Sequence, residues 1–405
     1  YQYNISTGKP TIFVDLHDSV QSTFDRDPIN NDMNSLLKLV IAAVCLAHCA
    51  VGDVDLAERI NTILQSPEYA EKDSQHATRV EQFKQFVQEF NRNYDSDNEI
   101  RYRFNAFKKN MDEQDYFVEN EKGTAEYGTT EFSDYGEQEL SRYMGKCPHG
   151  EPKLSSQDEV TLQEMTQVGD SILYGTDLSL KGTPTSVDWR QQKLIGPVLN
   201  QGYCSSSWAY AATTALETAY ALKTGHFVRF SKQQLIDCDN YNYACCGGVP
   251  HAAYMYLFKC GGAELDKTYN GRTFLRRCHF NPKNVKAKIS GLALFTNTSL
   301  SANEKIIEQY VAAKGPVVVN LTPGALTTYK KGIVRQSDTK CTKNSDFLSH
   351  TVTLVGYGEE AGIKYWIVKN SWGKNWGEKG FFRIERGVNM CGLASYGVAP
   401  IVLAV

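Results

Sequence analysis

Three stretches of this 405-residue chain carry the side chains that nucleophilic catalysis requires. Residues Gln201–Tyr210 include the hydroxyl of Ser207, and an imidazole and a carboxamide follow much later at His350 and Asn370. A nucleophile needs an imidazole within hydrogen-bond reach, and the imidazole needs a third group that fixes its tautomer and tilt. The residue types therefore indicate a catalytic site, provided that the fold brings these distant parts of the chain together.

The sequence motifs around these residues resemble those of the papain family of cysteine proteases. Gln201–Tyr210 is similar to the family's Q-G-x-C-G-S-C-W-A-F segment, and Leu348–Gly358 is similar to the strand with the family's histidine. Trp366–Gly380 matches the pattern W-x-x-K-N-S-W-G-x-x-W-G-x-x-G. The resemblance implies that His350 acts first as base and then as acid, and that Asn370 orients it through its side-chain carbonyl.

The same resemblance assigns supporting roles. Gln201 and the backbone N–H of residue 207 would stabilise the tetrahedral oxyanion, an effect worth about 3 kcal/mol per donor. Trp372 would shield the hydrogen bond of Asn370 from water. Residues 208–221, rich in Ala, Leu and aromatic side chains, predict a helix that begins at residue 207. A helix N-terminus lowers the pKa of a thiol and favours a thiolate–imidazolium pair.

Ser207 stands where the family has its catalytic cysteine. A serine hydroxyl stays neutral, so the imidazole would have to remove its proton during attack. Oxygen is also smaller than sulfur, and an error of about 1 Å in position costs about a hundredfold in rate. Two neighbours depart as well: Ser205 replaces a glycine, and Ser349 replaces an Asp or Asn. We expect peptidase activity to be reduced by orders of magnitude.

A propeptide is predicted before this region. Apolar residues at spacings of three and four predict two helices: Phe83, Phe86, Val87, Phe90 and Tyr94, then Ile100, Phe104, Phe107 and Met111. Glu99, Arg103, Phe107 and Asn110 follow the E-x3-R-x3-F-x2-N spacing of papain-family propeptides, with Glu99 and Arg103 as an expected ion pair; Gln114 and Val118 do not fit its last positions. Residues 128–134 resemble the G-x-x-x-F-x-D motif, and residues 121–128 resemble cathepsin F-like propeptides. In the family, such a propeptide runs through the cleft in the non-substrate direction and blocks it until removed.

Substrate-binding positions also follow from the resemblance. Gly248, in the loop Gly247–Pro250, would pair with the substrate backbone. The expected wall of the S2 pocket consists of Pro250, Asn320, Leu348 and Tyr396. Tyr396 would shorten this pocket and Asn320 would make it more polar, so a large aliphatic or Phe residue at P2 would fit less easily.

The eleven cysteines favour an oxidising compartment. The resemblance implies three disulfides: Cys204–Cys245, Cys238–Cys278 and Cys341–Cys391. The pairing of Cys246, Cys260 and Cys147 stays open, and a metal site at Cys245–Cys246 is disfavoured because no second chelating pair has zinc-like spacing. Asn297 and Asn320 lie in glycosylation sequons, the second expected to be buried and unused.

The N-terminal region predicts targeting. Residues 33–52 have a short apolar run behind one lysine and read as a signal peptide, which leaves residues 1–32 as an upstream or artefactual segment and makes Met33 the expected start. No other run is long enough to cross a membrane, so we expect a soluble mature protein that is secreted or lysosomal. A net charge of −3 offers no reason to expect nucleic acid as a partner.

The predicted organisation is α+β: a helical inhibitory propeptide (53–150), an irregular linker (151–183) with a processing cut near 181–184, and a papain-like domain (184–405) with a helical lobe and a β-barrel-like lobe. The first functional hypothesis is a zymogen whose peptidase activity is lost or strongly reduced, with peptides, protein ligands, protease inhibitors and its own propeptide as partners. The second is an active endopeptidase with a Ser-His-Asn site. The third is a silicatein-like structural role. No cofactor or metal is expected.

Overall fold

The computed structural model describes residues 2–3, 10–11, 56–66, 75–144, 154–175, 183–271, 273–296, 300–335 and 349–404. The predicted signal peptide at 33–52, most of residues 1–32, Cys147, Asn297, Cys341 and Leu348 lie outside these residues, as do residues 181 and 182 of the expected processing region. The chain forms two compact units, Tyr1–Asn105 and Ala106–Val405.

The first unit is mostly helical. It contains a short antiparallel pair, β1 (Gln2–Tyr3) and β2 (Pro10–Thr11), and then α1 (Leu56–Leu64), α2 (His76–Glu89) and the first residues of α3 (Asp97–Asn120). The predicted apolar stripes form its core, which includes fully or almost fully buried Phe83, Phe86, Tyr94, Ile100 and Phe104. The expected ion pair is present, with 3.7 Å between Nε of Arg103 and Oε1 of Glu99.

The second unit begins with the rest of the propeptide. The buried Asn110 amide on α3 donates to the carbonyls of Phe132, Ser133 and Tyr135, at 3.3, 2.9 and 2.9 Å. These bonds hold the turn before α4 (Glu137–Tyr143). The preceding strand β3 (Glu126–Tyr127) pairs antiparallel with β8 (Tyr329–Lys331), so propeptide backbone is joined directly to the peptidase part.

The stretch expected to be a linker without sustained periodicity is helical over most of its described length. Residues Ser156–Gly175 form the helix α5. Its buried side is narrow and consists of Thr161, Met165 and Gly169. Only one of these three residues is large and apolar. The spacings of Leu162, Met165, Val168 and Ile172 do fit a helix, but the many polar residues between them hid this signal from the sequence interpretation.

The peptidase part has a helical lobe and a sheet lobe. The helical lobe contains α6 (Ser207–Thr224), α7 (Lys232–Cys238) and α8 (Pro250–Cys260). Helix α6 is rich in alanine, and most of its length is buried. It ends at Gly225, whose φ of 76° lies in the left-handed region. Glycine adopts this conformation without strain because it has no Cβ.

A nine-stranded sheet forms the other lobe. The strands follow the order β5-β6-β13-β7-β10-β11-β12-β9, with β4 paired to β10. Their bounds are β4 (Val187–Asp188), β5 (Ala263–Glu264), β6 (Val285–Phe295), β7 (Val317–Leu321), β9 (Ile333–Val334), β10 (His350–Glu360), β11 (Ile363–Lys369), β12 (Phe381–Glu385) and β13 (Gly397–Ala404); α9 (Leu300–Ala313) precedes β7. The described strands leave β5 and β9 as ends, so the sheet does not close into a barrel. The α+β, two-lobed fold is confirmed.

Candidate active site

The helix α6 begins at Ser207, as predicted. A disulfide between Cys204 and Cys245 ties down the turn before it, and the N–H of Ser205 donates to the Cys245 carbonyl at 3.0 Å. Ser207 is only 3% exposed. Its Oγ accepts a hydrogen bond from the backbone N–H of Thr351 at 3.3 Å. The hydroxyl therefore lies next to the strand β10, at the boundary of the two lobes.

His350 is the first residue of β10 and is fully buried. Its Nε2 lies 2.8 Å from Oδ1 of Asn370, and that same oxygen accepts the N–H of Ser371 at 2.8 Å. Because Oδ1 can only accept, the imidazole proton resides on Nε2 and Nδ1 carries a bare lone pair. Within the described part of the chain, Nδ1 has no hydrogen-bond partner, and no hydrogen bond joins His350 to Ser207.

Burial controls the charge of the imidazole. It lowers the pKa of His350 to about 4, and the bond to Asn370 opposes this only partly. The ring of Trp372 lies over the imidazole, with 4.8 Å between centroids, and excludes water from that side. His350 is therefore neutral near pH 7, and the site holds a bare imidazole base rather than an ion pair.

Gln201, the residue predicted to bind the oxyanion, is fully buried. Its Oε1 accepts the hydroxyl of Ser371 at 2.5 Å, which leaves the side-chain N–H groups as donors. These donate to the carbonyls of Cys204 at 3.1 Å and Tyr143 at 3.2 Å. The structure thus brings Gln201, Ser207, His350 and Asn370 together.

The propeptide covers this site through α4. Next to the Tyr143 contact, the Ser205 hydroxyl donates to the carbonyl of Arg142. The ring of Phe132 packs edge-on against Trp372, with 5.0 Å between centroids. Two successive propeptide carbonyls therefore occupy side-chain donors of the site, and a substrate cannot reach Ser207 while α4 is in place.

The side-chain amide of Asn242 holds the loop around Gly248. Asn242 accepts the Val249 N–H at 2.7 Å and donates to the carboxylate of Asp239 at 2.7 Å. A Cβ on Gly248 would lie 2.4 Å from Oδ1 of Asn242, so only glycine fits. Burial raises the pKa of Asp239 to about 6. Sequence reasoning found Gly248 but missed Asn242 and Asp239, because neither belongs to a motif.

The expected S2 residues are only partly brought together. Pro250 begins α8, and the next residue, His251, places Nδ1 2.6 Å from the hydroxyl of Tyr396. Asn320 is half-buried on β7, and its Oδ1 accepts the hydroxyl of Thr351 at 3.0 Å. His251 was missed because its role depends entirely on the position of Tyr396, far away in the sequence.

A charged cluster lies behind the site. Lys369, which precedes Asn370, donates to the hydroxyl of Thr214 at 3.3 Å, and burial lowers its pKa to about 8. Burial has the opposite effect on a carboxyl group and raises the pKa of Glu217, whose carboxylate lies 3.8 Å from Nζ of Lys232. This cluster joins α6 of one lobe to β11 of the other, and nothing in the sequence pattern predicted it.

The cysteines form two of the disulfides that the resemblance implies, Cys204–Cys245 and Cys238–Cys278. Cys391 is also disulfide-bonded, while Cys246 and Cys260 are free. Among the described residues there is no cluster of His, Cys, Asp and Glu that could hold a metal ion. None of the described helices combines the length and apolar character needed to cross a membrane.

Comparisons with known proteins agree with this geometry. Residues 183–401 match the papain family of cysteine proteases, and residues 83–140 match the cathepsin propeptide inhibitor domain (I29). The chain belongs to the papain family, and its family domain is preceded by a cathepsin-type propeptide inhibitor domain.

The similar proteins include several cathepsins. The chain is 32% identical to cathepsin F of Mus musculus over 321 residues, which cover 79% of this chain and 64% of that protein. It is 38% identical to pro-cathepsin H of Bos taurus over 326 residues, with 79% and 90% covered. The digestive procathepsin L2 proteinase of Tenebrio molitor larval midgut superposes with a TM-score of 0.66 at 29% identity, covering 80% of this chain and 99% of that one. The match spans less than two thirds of the length of the cathepsin F sequence.

Proposed function

We propose that this zymogen has lost most or all of its peptide-bond hydrolysis, because Ser207 takes the place of the nucleophilic cysteine. The observation that carries the proposal is the geometry of Ser207 toward His350. Among the described residues no hydrogen bond joins the Ser207 hydroxyl to Nδ1 of His350, and this hydroxyl accepts the Thr351 N–H at 3.3 Å.

The chemistry explains why this arrangement favours inactivity. A cysteine site is charged before substrate arrives, since the thiol loses its proton to the imidazole in the resting enzyme. A serine must lose its proton during attack, which requires a short and well-aligned hydrogen bond to the base. Between Ser207 and His350 that bond is lacking, and an oxygen nucleophile is held closer to its own backbone than sulfur would be.

The cleft would then serve for binding. Gln201, the Gly248 loop and the Tyr396 region remain ordered, so the protein without its propeptide would still hold peptides or the inhibitors of related proteases. The signal peptide predicted at residues 33–52 and the disulfides support a secreted or lysosomal location.

A specific observation favours a second candidate, an active Ser-His-Asn endopeptidase. A neutral imidazole with a bare Nδ1 is the form that a serine mechanism requires of its base. Release of α4 would let the side chains of Ser207 and His350 move, and a hydrogen bond formed at that stage would complete the site.

The test compares the wild type with Ser207→Cys after removal of the propeptide from the full chain. We expect the Ser207→Cys variant to hydrolyse a fluorogenic peptide library about 100-fold or more faster than the wild type. The adjacent Ser206→Cys variant is the matched control and should stay at the wild-type rate. Equal turnover by wild type and Ser207→Cys, abolished in both by His350→Ala, would reject the proposal and establish the second candidate. If Ser207→Cys also fails to hydrolyse the peptides, the double variant Ser205→Gly/Ser207→Cys tests whether Ser205 obstructs the cleft.

A further inference from the structure

Helix α5 packs on the strand β6 at backbone distance. A Cβ added to Gly169 of the helix would lie 1.6 Å from the carbonyl oxygen of Leu292 and 2.8 Å from Cα of Ala293. A Cβ added to Gly291 of the strand would lie 2.7 Å from Cβ of Val168. The helix thus requires glycine on both sides of the crossing. At Gly169 the obstructing atoms belong to the backbone of a central strand, so no side-chain rotation relieves them.

The rest of the interface is complementary. Met165, 2% exposed, joins the core of the helical lobe together with Leu292. At the other end of the helix, Asp158 accepts the hydroxyl of Tyr241 at 2.9 Å and lies 3.1 Å from Nζ of Lys259. Hydrogen bonds from Ser155 and Lys259 lower the pKa of Asp158 to about 2, so the carboxylate stays charged in any compartment.

We infer that Tyr241, Lys259, Gly291 and Leu292 form a helix-docking site, the β6 face, which is separate from the substrate cleft and whose occupant is the chain's own α5. The residues that hold α5 are different from those that hold the propeptide at the cleft, where Ser205 and Gln201 make the contacts. The propeptide is therefore attached at the β6 face independently of its contacts at the cleft and of the β3–β8 strand pair.

This second attachment has a consequence for maturation. A cut in residues 176–183 would separate α5 from the peptidase domain in the sequence but would leave its packing on the β6 face intact. Two linked attachments raise the effective concentration of each, so the cut propeptide would remain as a non-covalent subunit.

The experiment uses the full chain with sites for a sequence-specific protease placed in residues 145–153 and 176–182. Cutting at both sites frees α5 as a fragment that only its own contacts can retain. We expect the fragment to co-elute with the remainder of the protein in size-exclusion chromatography. Elution of the wild-type fragment alone would overturn the inference, since α5 would then be held only by its covalent tethers.

Substitution of Gly169 separates packing from helix propensity. Gly169→Ala makes the helix intrinsically more stable by about 1 kcal/mol, and circular dichroism of the isolated fragment should show the increase. The added methyl nevertheless meets the Leu292 carbonyl, so the fragment should dissociate. Gln167→Ala, an exposed position of the same helix, is the matched control and should stay bound. Retention of the Gly169→Ala fragment with wild-type affinity would overturn the inference.

A substitution in the peptidase domain tests the same crossing independently. The Gly291→Ala domain should release a wild-type α5 fragment, and thermal unfolding of the released domain shows whether it is still folded. Asp158→Asn removes the ion pair to Lys259 and should raise the dissociation rate while the crossing remains intact. If the Gly291→Ala domain is folded and still retains the fragment, α5 does not dock by the crossing that the structure shows.

Discussion

The side-chain amide of Gln201 donates to the backbone carbonyl of Tyr143 at 3.2 Å, so a propeptide residue occupies the donor that the papain resemblance assigns to the oxyanion. The preceding carbonyl, that of Arg142, accepts the hydroxyl of Ser205. Inhibition and catalysis would therefore both draw on the amide of Gln201. This makes Gln201 testable twice, once by propeptide retention and once by turnover in the Ser207→Cys background, whereas the Ser205 hydroxyl is tested by retention.

Gln201→Ala should weaken both functions. Loss of the bond to Tyr143 should lower propeptide affinity by about 2- to 10-fold, as expected for one hydrogen bond. In the Ser207→Cys background, loss of an oxyanion donor should lower kcat by about 100-fold or more. The measurements are propeptide dissociation after a cut in residues 176–182 and steady-state kinetics. The exposed Gln191→Ala serves as control. An unchanged kcat would remove Gln201 from the catalytic set.

Ser205→Gly should speed propeptide release. The variant loses the hydrogen bond to Arg142 but keeps the backbone contact to Cys245, so we expect a rise of about 2- to 10-fold in the dissociation rate. Surface plasmon resonance of the cut protein measures this rate. Ser206→Ala is the control, because among the described residues the Ser206 hydroxyl donates to the Cys204 carbonyl in its own turn and not to the propeptide. Equal rates for wild type and Ser205→Gly would mean that this hydroxyl does not contribute to inhibition.

Acid should weaken propeptide binding through His350. Burial lowers the pKa of His350 from 6.5 to about 4, and we expect removal of the propeptide to admit water to the ring and let its pKa rise again. Protonation favours the state with the higher pKa, which is the released one. Affinity should therefore be full above pH 6.5 and fall as the pH drops from 6.5 to about 4, by up to about 3 kcal/mol.

The His350→Gln variant isolates this effect. Asp239 and Glu217 also titrate with raised pKa values, so the wild type alone would not identify the group. We expect the difference in propeptide affinity between wild type and His350→Gln to grow as the pH is lowered through the window. Parallel pH profiles for the two proteins would show that other groups control acid release.

Tyr396 should restrict the residue accepted at P2. Its hydroxyl is held by His251 at 2.6 Å, which keeps the ring in place. In the Ser207→Cys background, Tyr396→Ala should shift the ratio of kcat/KM values toward Phe and away from small residues at P2 by about 10-fold or more. Peptide libraries varied at P2 measure this shift. Tyr365→Ala, on β11 beside Arg383, is the matched control. An unchanged P2 profile would place Tyr396 outside the pocket.

Local motifs predicted several structural features of the site. The helix that begins at Ser207, the buried His350 and the bond from His350 to Asn370 all lie within short, recognisable stretches. The two propeptide helices could be predicted equally well from the sequence, because Phe83 and Phe104 belong to regular apolar stripes. In these cases neighbours in sequence determine the element, so no knowledge of the rest of the chain was needed.

Other features depended on contacts between distant residues. The helix α5 was predicted as a linker because its buried side, Thr161, Met165 and Gly169, carries little apolar area and is completed only by β6. The hydrogen bond between His251 and Tyr396 likewise joins elements that are far apart in the sequence.

The sequence by itself determined the family and the serine at position 207, and it predicted Gln201, His350 and Asn370 as its neighbours. Only the tertiary structure decided that Nδ1 of His350 has no hydrogen-bond partner among the described residues, that propeptide carbonyls occupy the donors of Gln201 and Ser205, and that α5 docks on β6. The physical reason is the range of the interactions. Helix propensity and motif chemistry act over a few residues, whereas burial, hydrogen-bond partnership and close backbone packing depend on which distant segments meet.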